Sequence, residues 1–497
     1  MYGGRAGTLS VVSIVCSLFG CRDALDPVNS RPASLQPSMA SISQVAESRF
    51  LLVFDRNGAP SDLGGRVSAL GGVVDTHLEN IGLAVVTGLT PAGAHELKSV
   101  PGIIAVEPDL ILSAAADPED LAIEPGESDA TAVAVQSVAA PTDASFYARQ
   151  WNLRAIHADA AWSVGLLGDP DVRVAILDTG IDYLNDDLAG HVDLNRSTSL
   201  LTLSQNCTGT EPGRLTSSED DTMRARFPGR ELFSDLHSHG TAVAALIASN
   251  GRLLAGVTQR TTLFSVKVHD RFRSNCISVY LAGIVYAADH DADVIHLSIP
   301  LEFSKDSFPG IVAAVNRATS YAHRKGAVMV AAAGNDMADF DHDGTRFKFC
   351  SAVHVICVSA TAPTSAAGLD GPWQNVDAIA PYTAFGRSTI TVAGPGGRGT
   401  MGTATTVWLD CSGTTRVGGN PGPCRTGSRI WSSTGTSFGA AVTSGLAALL
   451  VGKVGKGQPD RIRAAIEHSA DDLGEPGVDP YYGRGRINIA RALGVIP

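Results

Sequence analysis

The stretch Val172-Arg173-Val174-Ala175-Ile176-Leu177 is apolar at every position but one. A β-branched run of this length reads as a strand buried on both faces, which in water requires helices above and below it. Such strands belong to open, mostly parallel sheets, where ligands bind beyond the carboxyl ends of the strands. The residues at that end are Asp178-Thr179-Gly180. The expected fold is a doubly wound α/β domain, with helices at about 278–289 and 309–325 covering the sheet.

Two further segments carry chemistry-bearing side chains to the starts of helices. Asp235-Leu236-His237-Ser238-His239-Gly240-Thr241 leads into the apolar run 242–248. Gly435-Thr436-Ser437-Phe438-Gly439 leads into 440–451, where Val442, Leu446, Leu449 and Leu450 recur at helical spacing. Taken singly, an Asp after a strand is usually a turn residue and a Ser at a helix start is usually a cap. The set is different. A hydroxyl is a poor nucleophile at its own pKa; a His must take its proton, a buried carboxylate must hold that His in one tautomer, and donors must meet the oxyanion.

The three segments, in the order Asp, His, Ser, resemble the subtilisin-like serine proteases, the subtilases. Gln150-Trp151-Asn152-Leu153 with Ala160-Ala161-Trp162, Gly256-Val257, Val266-Lys267-Val268, Ala331-Ala332-Ala333-Gly334-Asn335, Val392-Ala393-Gly394-Pro395-Gly396 and Tyr482-Gly483-Arg484-Gly485-Arg486-Ile487-Asn488 extend the resemblance over about 146–497. It implies Ser437 as nucleophile, His239 as general base and then acid, Asp178 as orienting carboxylate and Asn335 as oxyanion donor. It also implies protein or peptide substrates and no cofactor for the chemistry. Subtilases usually carry Ser-Leu-Gly-Gly where a substrate strand pairs; this chain has Ser298-Ile299-Pro300-Leu301, and Pro300 has no N–H to give. A catalytically silent, surface-displayed binding domain on the same fold is the alternative reading.

Two other motifs are weaker. Asp178-Thr179-Gly180 is also an aspartic-protease signature, but that mechanism needs two such loops and the tripeptide occurs once. Gly435-x-Ser437-x-Gly439 matches the α/β-hydrolase nucleophile elbow, yet only His468 follows the Ser, and 418–434 is rich in Gly, Pro and Ser and reads as lacking the required strand.

Upstream, the pattern changes type every few residues. Strands at 50–54, 72–76, 82–87 and 103–106 alternate with helices at 61–70 and 91–100, the second opened by Thr90-Pro91. The order βαββαβ is the ferredoxin-like unit, marginal at about 65 residues, so a partner surface is implied. By resemblance, 47–112 is an inhibitory propeptide acting on its own chain. Between Lys98 and Arg149 there are nine carboxylates and no Lys or Arg, which supplies −9 of the net −12. Residues 113–145 therefore read as an acidic, solvated linker between propeptide and peptidase domain (146–497). The negative balance also argues against a nucleic-acid partner.

Residues 8–20, behind Arg5, form an apolar run too short to span a bilayer but suited to an export signal. It ends Leu18-Phe19-Gly20-Cys21, which resembles a bacterial lipobox with Cys21 as lipid anchor, followed by a linker over 22–46. An exported, extracellular or envelope-anchored bacterial protein is expected. Six cysteines remain after Cys16 and Cys21, an even number suited to disulfides in an exported chain; they allow 15 connectivities and the sequence does not choose among them, the short-loop choice being Cys350 with Cys357 and Cys411 with Cys424, leaving Cys207 with Cys276. Asp339, Asp341 and Asp343, alternating before Gly344, are candidate ligands for a structural calcium ion; Asp182, Asn185, Asp186 and Asp187 form a second candidate group. The polar stretches 195–235 and 396–430 are expected to be surface loops.

Overall fold

The computed structural model describes residues 44–497 apart from 57, 114–120, 125–137, 205–206, 208–218, 272, 299–301, 400 and 411–424. The export signal, Cys16, Cys21, Ile299, Pro300, Cys411 and Cys424 lie outside the described residues.

The strand Arg173–Asp178 sits inside an eight-stranded sheet. It pairs in parallel with Val294–Leu297 on one side and Thr262–Lys267 on the other. Beyond Val294–Leu297 follow, again in parallel, Val328–Ala332 and Val355–Ala362, with Val392–Pro395 alongside. The first strand thus has the second and third on opposite sides, so the winding reverses across it, and a crevice opens at its carboxyl end. The two-faced burial is visible residue by residue. Ala175 and Leu177 enter the core beneath the helices Ile277–Asp289 and Pro309–Arg324, while Val174 and Ile176 enter the opposite core, under His239–Ile247 and Thr436–Val454. Thr436–Val454 is long and apolar enough to cross a membrane, but most of it is buried inside this fold.

The N-terminal unit has the order βαββαβ, with strands Gln44–Phe54, Val73–Leu78, Leu83–Thr87 and Ile103–Ser113 and helices Leu63–Ala69 and Pro91–Leu97. Its sheet order places Val73–Leu78, Leu83–Thr87, Gln44–Phe54 and Ile103–Ser113 side by side. Thr90 caps the second helix, its Oγ1 accepting from the Gly93 N–H at 3.1 Å. The first strand begins at Gln44, inside the stretch read as linker, because Gln44 and Val45 pair with Ile111 and Leu110.

This unit docks through its last strand. Ile111, Leu112 and Ser113 pair antiparallel with Cys276, Asn275 and Ser274 of the larger domain. Glu107 accepts from the N–H groups of Gly310 (2.7 Å) and Ile311 (2.8 Å), and Asp109 from the N–H of Ser278 (3.1 Å), so two carboxylates cap two neighbouring helices. Gly310 permits the approach: a Cβ there would lie 2.5 Å from Ala105 Cβ. Arg49, itself buried, donates to Asp109 at 2.7 Å and to the Leu203 carbonyl at 3.0 Å.

Two loop expectations are corrected. Leu121–Glu124, within the stretch read as linker, is a strand paired with Arg425–Ser433. Arg425–Ser433 pairs in turn with Thr403–Asp410, so much of 396–430 is an antiparallel hairpin. The Thr- and Val-bearing run 403–407 suits a strand, a signal outweighed in the sequence by the Gly- and Pro-rich segment between the two arms. A strand does therefore precede Ser437, but it lies off the parallel sheet that a nucleophile elbow requires. Cys207–Cys276 and Cys350–Cys357 are disulfide-bonded, with Cα separations of 5.5 and 4.9 Å.

Candidate active site

Asp178 ends the strand Arg173–Asp178 and is fully buried. Both its oxygens face His239 Nδ1, at 2.8 and 2.9 Å, and Oδ1 also accepts from the Thr179 N–H at 2.7 Å. With a carboxylate as its partner, Nδ1 carries the proton and Nε2 becomes the basic nitrogen. Burial pushes the Asp178 carboxyl up, but the attraction of the His239 ring and its hydrogen bond, aided by His269 and Arg273, hold it well below the usual carboxylate range.

His239 is the first residue of its helix, and that start is held by a residue the sequence reading left without a role. Buried Asp235 accepts from the N–H groups of His237 (2.8 Å), Ser238 (2.9 Å) and Thr241 (2.9 Å) and from the Thr241 hydroxyl (2.8 Å). The Gly240 N–H donates to Thr179 Oγ1 at 2.9 Å. A side chain at position 240 is impossible, since its Cβ would lie 2.1 Å from the Gly180 carbonyl oxygen. Asp-Thr-Gly and His-Gly-Thr are therefore two halves of one contact.

Ser437 is the second residue of the helix Thr436–Val454, 3% exposed, and the ring of the next residue, Phe438, lies 6.0 Å from that of His239. Asn335 follows the strand Val328–Ala332. Its Oδ1 accepts from both the N–H and the hydroxyl of Thr436, each at 2.9 Å, while Thr436 Oγ1 accepts from the Gly334 N–H at 3.1 Å. Pinning the amide by its oxygen turns Nδ2 toward Gly435, where a Cβ would sit 3.2 Å away.

Beneath the site lies a buried chain that the sequence did not disclose. Ser444 Oγ donates to the Ala440 carbonyl at 2.9 Å, His296 Nδ1 meets Ser444 Oγ at 3.0 Å, and Ser298 Oγ meets His296 Nε2 at 2.6 Å. Ser298 Oγ is 3.4 Å from the Ser437 carbonyl oxygen, so the end of the strand Val294–Leu297 is tied to the helix carrying Ser437. Burial pushes the His296 imidazole down to about 4 and that of His269, bonded to Tyr280, down to about 3; both are neutral at pH 7. Of the expected substrate-binding residues, Ser298 is buried with its hydroxyl turned to His296 and the Ser437 carbonyl, and Ile299 and Pro300 fall outside the described residues.

The proposed calcium ligands meet protein donors instead. Asp339 accepts from the N–H groups of Asp341 and His342 and pairs with the His342 ring; Asp341 accepts from Arg387 and Ser388; Asp343 holds Arg346 and Thr345. Among the described residues these three carboxylates do not converge on a common point, and this arrangement does not fit a bound cation. The second group fares similarly: Asp182 pairs with Arg230, Asp186 with Arg252, and Asp187 accepts from Leu253 and Leu254.

Residues 169–485 match the Subtilase family. The chain belongs to that family. This subtilase is 29% identical over 356 residues to a thermophilic serine proteinase of Bacillus sp. (strain AK1), covering 71% of this chain and 69% of that protein. It is 27% identical to thermitase of Thermoactinomyces vulgaris over 71% of this chain and 99% of thermitase. In fold it is similar to the epidermin leader peptide processing serine protease of Staphylococcus aureus, with a TM-score of 0.63 at 19% identity over 90% of this chain and 98% of that one. Fervidolysin of Fervidobacterium pennivorans gives 0.60 at 21% identity, over 90% of this chain and 61% of that one. The protein is a serine peptidase of subtilisin-like fold.

Proposed function

We propose that this subtilase is an exported endopeptidase made as a self-processing zymogen, with Asp178, His239, Ser437 and Asn335 as its catalytic set. The observation that carries the reading is the buried Asp178–His239 pair, with both carboxylate oxygens within 2.9 Å of Nδ1, beside the helix that opens at Thr436. Ser437 Oγ gives its proton to His239 Nε2 as it bonds to the scissile carbonyl carbon. The oxyanion accepts from the Ser437 N–H and from Asn335 Nδ2, which the bond to Thr436 leaves as a donor. His239 then protonates the leaving amine, and water repeats the sequence on the acyl-enzyme. Asp178 stays ionised throughout, stabilising the imidazolium.

The N-terminal unit is the inhibitor in this reading. Its last strand pairs along the edge Ser274–Cys276, the kind of edge a peptide substrate would extend. The chain next appears as Leu121–Glu124, antiparallel to Arg425–Ser433, the strand that leads into Ser437. Because Leu121–Glu124 lies on the strand that leads into Ser437, the self-cut is assigned to the part of the acidic linker between Ser113 and Leu121. Residues 1–21 are taken as the export signal and Cys21 as a lipid anchor from the sequence alone.

Intact mass and N-terminal reading of the exported wild type beside Ser437→Ala test the proposal. A wild type beginning between 114 and 121 and an uncut variant are expected. Equal masses, with both chains retaining the N-terminal unit, would overturn self-processing and favour the silent binding domain.

A further inference from the structure

A second cluster of ligating side chains lies away from Ser437. His323 stands in the last turn of the helix Pro309–Arg324, His354 directly precedes the strand Val355–Ala362, and Asp460 is the second residue of the helix Pro459–Ser469. Three separate pieces of chain thus bring their side chains together. The two imidazole rings stack at 3.9 Å with an interplanar angle of 19°, His323 Nε2 meets Asp460 Oδ1 at 2.9 Å, and one ligand atom from each residue lies within 4.8 Å of the others. His354 adopts a left-handed backbone, φ +64°, which a β-carbon disfavours, and that turn sets its ring against His323. The three side chains line a cleft of about 190 Å³ open to solvent.

We propose that His323, His354 and Asp460 bind one divalent cation of the zinc class, the ion replacing the His323–Asp460 hydrogen bond and one exposed ring turning out of the stack so that both in-plane lone pairs reach it, with a coordination position left for water. Two imidazole nitrogens and one carboxylate oxygen are a donor set for zinc and its borderline neighbours rather than for calcium, which takes six to eight oxygens. The electrostatic surroundings agree. His323 lies at the carboxyl end of a 16-residue helix, where the peptide dipoles favour positive charge. The guanidinium lining the cleft, Arg463, is already committed to Glu467 at 2.7 Å and to the Val355 carbonyl at 3.0 Å, and Arg324 lies over the Tyr321 ring.

The position says what the ion does. Val328 and Val355 open their strands, so the cleft lies at the amino ends of the parallel sheet, whereas Asp178 and Asn335 lie at the carboxyl ends. The ion takes no part in peptide hydrolysis. It clamps a helix end, a strand start and a second helix start, and it stabilises the folded state because the unfolded chain does not preform the site.

The test uses the full chain carrying Ser437→Ala, to prevent self-digestion, with zinc sulfate and with cobalt(II) as a spectroscopic stand-in. One equivalent of zinc should bind and raise the unfolding temperature, and cobalt should show visible ligand-field absorption. His354→Ala and Asp460→Asn should each weaken zinc binding by more than the about 10- to 100-fold that loss of a group merely supporting a ligand costs. Both positions are exposed, so the variants should keep their far-ultraviolet dichroism, and in the Ser437 background either should leave peptide hydrolysis unchanged. Zinc uptake and cobalt absorption that are absent, or that persist unchanged in both variants, would overturn the proposal and leave a hydrogen-bonded surface cluster only.

Discussion

Asp109 and Asp178 are both fully buried carboxylates, one in the seam between the N-terminal unit and the larger domain, the other at the end of the central strand. Burial pushes both upward, yet the outcomes differ in sign. At Asp109 desolvation wins over Arg49 and Ser278, and the carboxyl is raised; at Asp178 the His239 ring, with His269 and Arg273 behind it, wins and the carboxyl is lowered. Equal burial therefore says little about a carboxylate's work. The seam uses its carboxylate to fix register, capping a helix through Ser278, whereas the site keeps one ionised to orient a base.

The comparison can be broken by substitution, starting where the effect is largest. Asp178→Asn should keep the fold and lose about 10⁴ in kcat, the loss known for a triad Asp that can no longer fix the His tautomer; steady-state kinetics with unfolding curves would separate the two. Arg49→Ala leaves Asp109 buried without its cation and should cost about 3–5 kcal/mol of stability, read from denaturant unfolding of the Ser437→Ala chain. Equal damage to turnover and stability from both substitutions would dissolve the distinction.

Smaller effects sharpen it. Asn335→Ala should lower kcat by about 10²–10³ with little change in KM, a magnitude known for the oxyanion donor of this family. His296→Asn probes the buried chain beneath the site. The folded His296 titrates near 4 against 6.5 unfolded, so from pH 6.5 down to 4 the unfolded chain takes up a proton the folded one refuses. Its contribution to stability is present above pH 6.5 and is lost as pH falls, by about 2 kcal/mol at pH 5. Asp187, pushed up to about 7 by burial, slopes the other way but does so in both proteins and cancels. Unfolding at pH 7 and 5 should show a shallower loss in the variant by that amount.

Much of the site was legible because its signals are local. A both-faces apolar strand, two helix starts and the glycines between them stand within a few residues of Asp178, His239 and Ser437. The βαββαβ unit was legible for the same reason, through Thr90-Pro91 and alternating strands. What escaped depends on distant partners. His296 is tied to the Ser437 helix through Ser444, 148 residues on, and the hairpin Thr403–Asp410 with Arg425–Ser433 is invisible to a reading weighted toward the Gly and Pro between its arms. Asp339, Asp341 and Asp343 show the opposite case. Their spacing suggested an ion, but the Arg387 N–H, brought in by another segment, and the Arg346 side chain of the same loop supply donors to them.

Covalent capture reads out whether Ser437, activated by His239, is the nucleophile. Wild type and His239→Ala, each freed of the N-terminal unit by the same added protease, would be treated with a fluorophosphonate, followed by peptide mass mapping. One adduct is expected, on Ser437, formed in the wild type and lost in His239→Ala. An unlabelled wild type, or an adduct on another serine, would contradict it.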